Sequence, residues 1–146
     1  MSNKAKIWSL LARRVQVRAS AALAEVLKAG ARLAEIEKSA RRLADLHADY
    51  RARLSVLQDE RHTMSENMNY RRYIVHVAEL QARLALQLEA ARETLMHAKQ
   101  LHQALEVERN KLTGLAERAL EAERRRQSAV EQMRLDALAI ARYNLR

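Results

Sequence analysis

The stretch that decides the fold is Tyr70–Leu112, YRRYIVHVAELQARLALQLEAARETLMHAKQLHQALEVERNKL. Taken at alternating steps of four and three, it reads Tyr70, Ile74, Val77, Gln81, Leu84, Leu88, Ala91, Leu95, Ala98, His102, Leu105, Arg109, Leu112. A repeat of 3.5 residues keeps one narrow stripe of a helix facing one partner helix. The residues between are mostly Arg, Glu, Gln, Lys and Ala, which favour helix or tolerate solvent. Neither Pro nor Gly interrupts the stretch.

The partner lies earlier in the chain. The same spacing runs through Trp8, Ala12, Val15, Ala19, Ala22, Val26, Ala29, Leu33, Ile36, Ala40, Leu43, His47, Tyr50, Leu54 and Leu57. Its first half is rich in Ala, which lets two helices approach closely. Between the two seams, Asp59–Asn69 is polar. Thr63 followed by Glu66 fits a capping box, and Asn67 and Asn69 are alternative N-caps. A connection this short makes its flanking helices antiparallel neighbours. The expected fold is all-α, a long two-helix antiparallel coiled-coil hairpin that occupies residues 1–146 as one elongated unit. Its helices span about 3–58 and 67–143, with a turn at about 59–67. At about 1.5 Å per residue the first arm is roughly 80 Å long. Val15 should lie near Arg109–Leu112. The seam weakens beyond Leu112, where Gly114 suggests a bend or local unwinding, and residues past about 125 overhang the N-terminus. A chain that satisfies its own seam is expected to be monomeric.

Composition agrees. The 146 residues contain no Pro, no Phe, no Cys and two Gly, and only 3% are aromatic. That is poor material for a wide core and sufficient for a stripe. Without cysteine there are no disulfides and no thiol or thiolate chemistry. The charge of +9 is unevenly placed. Lys4, Lys6, Arg13, Arg14 and Arg18 stand in residues 1–24 without an acid, whereas residues 25–69 hold eight basic and eight acidic groups. A second basic cluster, Arg124, Arg125 and Arg126, follows Arg118 on the last helix. In the hairpin both clusters belong to the open end, where they could converge on one acidic partner.

The sequence also argues against several classes. No apolar run reaches the ~20 residues of a membrane span, so direct membrane insertion is not expected. Ile7–Ala12 is too short for a signal-peptide core and runs into Arg13 and Arg14. The acid-free start has the composition of an organellar transit peptide, yet the seam begins inside it. There is no phosphate-binding glycine loop, no GxGxxG and no HExxH. No two of His47, His62, His76, His97 and His102 stand four apart, so no helix face offers a two-histidine metal grip. His47 and His102 fall on the seams, as polar markers of register. Pairs such as Glu37–Arg41, Asp49–Arg53 and Glu79–Arg83 read as a solvated surface. No catalytic residue, metal or cofactor is expected. The aromatics are scattered and form no stacking platform among the basic residues, which weighs against nucleic acid. A basic coiled coil that binds nucleic acid or an anionic surface, and a structural homodimer, are the alternatives.

Tyr50 and Leu54 near the end of the first helix, then Asn69-Tyr70-Arg71-Arg72-Tyr73-Ile74 with Val77, Leu80 and Leu84, carry a resemblance. So do the Glu/Arg-rich run Glu117–Arg126 and Glu131–Asp136. The chain resembles the FliJ family of flagellar type III export proteins and, more distantly, the YscO-like stalk proteins of injectisomes. Tyr73 stands where the family commonly has Phe, and Trp8 is not a family feature. The resemblance implies a cytoplasmic, non-enzymatic stalk of the export apparatus that serves motility, peripheral to the inner membrane. Its partners would be a FliI-like hexameric export ATPase, a FlhA-like export gate and export chaperones. It assigns Tyr73, Val77, Leu80 and Leu84 to the gate and Arg13, Arg14, Arg18, Arg124, Arg125 and Arg126 to the ATPase ring. Tyr73 and Leu80 lie off the seam and are expected to form a solvent-facing apolar pair.

Overall fold

The computed structural model describes residues 3–59 and 63–145. Two helices make up almost all of it, α1 (Asn3–Asp59) and α2 (Met64–Asn144). Among the described residues there is no strand. The fold is all-α, a helical hairpin whose two long helices pack against each other. Every seam residue from Trp8 to Leu57 and from Tyr70 to Leu112 is buried or half-buried. The 3.5-residue spacing therefore sets which side of each helix leaves water. The contacts fall into two units, Ala22–Gln100 and Met1–Ala21 with Leu101–Arg146.

The Ala22–Gln100 unit contains the end of α1 and the start of α2. The backbone N–H of Glu66 donates to Thr63 Oγ1 at 3.4 Å, and that of Asn67 donates to the Thr63 carbonyl at 3.3 Å. Thr63 is thus the N-cap, and α2 begins at Met64 rather than near Asn67. Thr63 offers both a side-chain and a main-chain acceptor to the first turn, so Asn67 and Asn69 are drawn inside the helix. Glu66 lies in that turn, where a carboxylate favours the positive end of the helix dipole. Glu60, Arg61 and His62, part of the expected turn, lie outside the described residues. Val77 and Ala91 are buried together with Ala22 and Ala29, and the rest of the seam is half-buried.

In the other unit the buried residues are Ala5, Val15, Ala19, Leu105 and Ala116. Small side chains dominate, as the Ala-rich seam requires. Arg109 Nη1 donates to Gln16 Oε1 at 2.7 Å, which sets the level of Val15 against α2 near Arg109, as read from the sequence. The backbone stays α-helical through Gly114. The unwinding expected there does not occur, because Leu112, Leu115 and Ala116 all remain packed and the glycine's weak helix propensity costs only about 1 kcal/mol. From Arg124 to Leu145 every residue is exposed, so the last six turns of α2 have no packing partner among the described residues.

Candidate functional site

Two surfaces gather the residues singled out by the sequence. The first is aromatic and lies in the Ala22–Gln100 unit. Tyr50 and Tyr70 occupy facing seam positions with ring centroids 6.2 Å apart and planes at 70°. Tyr73 stacks on Tyr50 at 5.6 Å with planes at 19°. Offset stacking and edge-to-face contact are the favoured aromatic geometries, so Tyr50 fixes the ring of Tyr73 against the helix pair. Tyr73 nonetheless keeps 55% of its surface exposed. The result is a held apolar ring with a phenol open to solvent.

The other three residues assigned to this surface are less accessible. Val77 is 4% exposed and fills the seam, and Leu84 is half-buried on it. Leu80 is half-buried as well, so the solvent-facing pair expected of Tyr73 and Leu80 reduces to Tyr73. Leu80 and Tyr73 stand seven residues apart, at the same position of the repeat, so the repeat alone does not separate them.

The second surface is basic and lies in the other unit. Arg13, Arg14, Arg18, Arg124, Arg125 and Arg126 are all exposed. Arg125 Nε lies 3.4 Å from Glu121 Oε1, and Arg126 Nη2 lies 3.6 Å from Glu123 Oε2. The clusters do not meet at one level. Counting from the Gln16–Arg109 pair, Arg13 and Arg14 stand opposite residues 111–112. Arg124 is a dozen residues further along α2, about 18 Å away at 1.5 Å per residue. Lys4, Lys6 and Arg118, all exposed, lie between. Together these exposed cations form a basic band along this unit.

A polar network at the seam was not foreseen. Besides binding Gln16, Arg109 donates through Nη2 to Glu106 Oε2 at 2.6 Å and to Asn110 Oδ1 at 3.3 Å. Glu106 Oε1 lies 3.7 Å from His102 Nε2. The signal was present as Arg109 and His102 at seam positions. What the spacing did not reveal was the neighbour across the interface, Gln16, which lies one residue off the facing seam.

Among the described residues no group of three His, Cys, Asp or Glu could hold a metal ion. No described helix is long and apolar enough to cross a membrane. Pairs such as Arg53–Asp49, 3.2 Å apart, have both side chains more than half exposed, an environment that leaves a carboxylate solvated.

Neither a curated protein nor a solved structure matches the chain. The family model described as flagellar FliJ protein matches residues 9–146. Apart from Trp8, the seams fall within that match, as do the capped turn and the tyrosines at its foot, and the chain belongs to the FliJ family, components of flagellar protein export.

Proposed function

We propose that this chain is a non-enzymatic stalk of the flagellar export apparatus that links a hexameric export ATPase to the membrane export gate from the cytoplasmic side. The Tyr73 surface is the gate contact. Tyr73 touches the gate directly, Leu80 borders the contact, and Val77 and Leu84 hold the helix beneath it. The basic band carrying Arg13, Arg14, Arg18, Arg124, Arg125 and Arg126 meets the ATPase ring. Exposed cations steer a protein towards an acidic opening over distances set by the Debye length, about 8 Å at physiological salt. The observation that carries this reading is the pattern of exposure. A held aromatic ring is open in one unit, and a six-turn helical segment beginning at Arg124 has no described partner in the other.

The test is a pull-down at physiological salt against purified export ATPase and the cytoplasmic domain of the gate. Tyr73→Ala with Leu80→Ala should lose the gate and keep the ATPase. Arg124→Glu, Arg125→Glu and Arg126→Glu together should do the reverse. Loss of both partners by either variant with helicity intact would remove the assignment of separate surfaces. Failure of the wild type to bind either partner would remove the stalk reading itself.

A further inference from the structure

The outer face of α2 carries a second apolar stripe that the hairpin does not use. Met64, Met68, Val75, Ala78, Ala82 and Leu86 follow steps of four and three, with Arg71 at the one polar rung. Its members lie about 100–180° round the helix from Val77 at 100° per residue. All six residues are exposed, Val75 by 58% and Leu86 by 74%. Sequence reading passed over it because Val77 and its partners satisfy the same period more fully.

Two features distinguish the stripe from scattered surface leucines. Near the start of α2 it borders shallow, solvent-open hollows. A groove of about 540 Å³ opens over Met68, Val75 and Arg71. A second of about 480 Å³, reaching Leu54 and Ser55 of α1, shares Val75 and Arg71 with it. It also has a rim of one dominant sign. Arg72 and Arg83 flank it and Arg71 interrupts it, with Glu79 as the acid among them.

We infer that the outer stripe of α2 from Met64 to Leu86 is a docking face for an acidic amphipathic helix of another protein. The four-three spacing fits a helix, because only a helical partner presents knobs at that period over six turns. The alanines at 78 and 82 permit close approach. The arginines on the rim choose the charge. A second copy of this chain would set Arg71, Arg72 and Arg83 against their equivalents, which like-charge juxtaposition disfavours. Glutamates flanking the seam of a different helix would meet them. The face is separate from the Tyr73 surface, which points about 140° away round α2.

The probe is a 22-residue helical peptide with Leu at the seam positions and Glu at the flanking positions, titrated into the full chain beside a version with Lys for Glu. The acidic peptide should bind at least tenfold more tightly than the basic one. Val75→Glu with Leu86→Glu should weaken it at least tenfold, whereas Val130→Glu with Leu138→Glu on the exposed end of α2 should not. Arg72→Glu with Arg83→Glu should invert the preference towards the Lys peptide. All substituted positions are exposed, and unchanged helicity by circular dichroism secures the comparison. Equal binding of both peptides, or loss of binding through the Val130/Leu138 variant, overturns the assignment. So does a wild-type dimer that Val75→Glu with Leu86→Glu dissolves, which would make a second copy the occupant.

Discussion

Arg109 offers the sharpest test of how this helix pair keeps its register. Its guanidinium bridges the helices to Gln16 at 2.7 Å and pairs with Glu106 at 2.6 Å. Hydrogen bonds to a charged group contribute about 1.5–3 kcal/mol when sheltered. Here the Arg109 and Glu106 side chains are 34% and 31% exposed, and Gln16 is exposed enough to recover a water. Solvent screening reduces the Glu106 pair to at most about 1 kcal/mol. Arg109→Ala, which also strips the aliphatic stem from the seam, should therefore cost about 1–2 kcal/mol. Arg109→Met keeps the stem and removes the buried Nε that has no hydrogen-bond partner. It should cost less than about 1 kcal/mol, since replacing an incompletely hydrogen-bonded polar group by an apolar one is often near neutral.

Urea denaturation followed at 222 nm measures these costs. For a slope of about 2 kcal/mol/M, Arg109→Ala should lower the midpoint by roughly 0.5–1 M. A cycle with Gln16→Ala isolates the bond between the helices, with an expected coupling of about 0.5–1.5 kcal/mol. A coupling below about 0.3 kcal/mol would refute the bond as a register lock and leave Arg109 as packing. A weaker Arg109→Met than Arg109→Ala would refute the role given to the stem.

Three further outcomes follow from the helices themselves. A Cβ built at Gly30 or Gly114 meets nothing within 4 Å, so Gly30→Ala and Gly114→Ala should each stabilise by about 0.5–1 kcal/mol, visible as a raised thermal midpoint. Ala19 is 1% exposed in the seam, so Ala19→Leu should force the helices apart and destabilise by about 1–3 kcal/mol, measured in the same melts. Thr63→Ala removes a cap whose hydrogen bond is long at 3.4 Å. It should cost about 0.5 kcal/mol, at the lower end for N-caps, and increase amide exchange at Glu66 and Asn67.

The period of apolar residues was enough to read the pairing because a two-helix coil buries little else. Each seam residue from Trp8 to Leu57 and from Tyr70 to Leu112 is at least half-buried. Cap choice was harder, since Thr63, Asn67 and Asn69 are all competent. The decision fell to the residue that supplied acceptors for the Glu66 and Asn67 N–H groups. Exposure off the seam was harder still. Leu80 and Tyr73 share one position of the repeat, seven residues apart, yet only Tyr73 is exposed, a difference the repeat itself does not encode. The sequence assigns both basic clusters to the open end. A single pair, Gln16–Arg109, separates them by about 18 Å.

The same repeat that closes the hairpin also shows where it stays open. Past Glu123, α2 goes on presenting apolar residues at Val130, Met133, Leu138 and Ile140, all more than half exposed, interleaved with Arg126 and Arg134. In the hairpin core such residues meet α1. Here no described residue of α1 lies opposite them, since Asn3 falls opposite about residue 122 when counted from Gln16–Arg109. A 21-residue helical stretch, Arg124–Asn144, with no packing partner among the described residues is only marginally stable in water unless propensity or packing supports it. Here it continues an 81-residue helix already nucleated upstream, so it needs no nucleus of its own. Its apolar side remains available at low cost in ordering, the condition under which a preformed helix binds more tightly than a segment that must fold on contact.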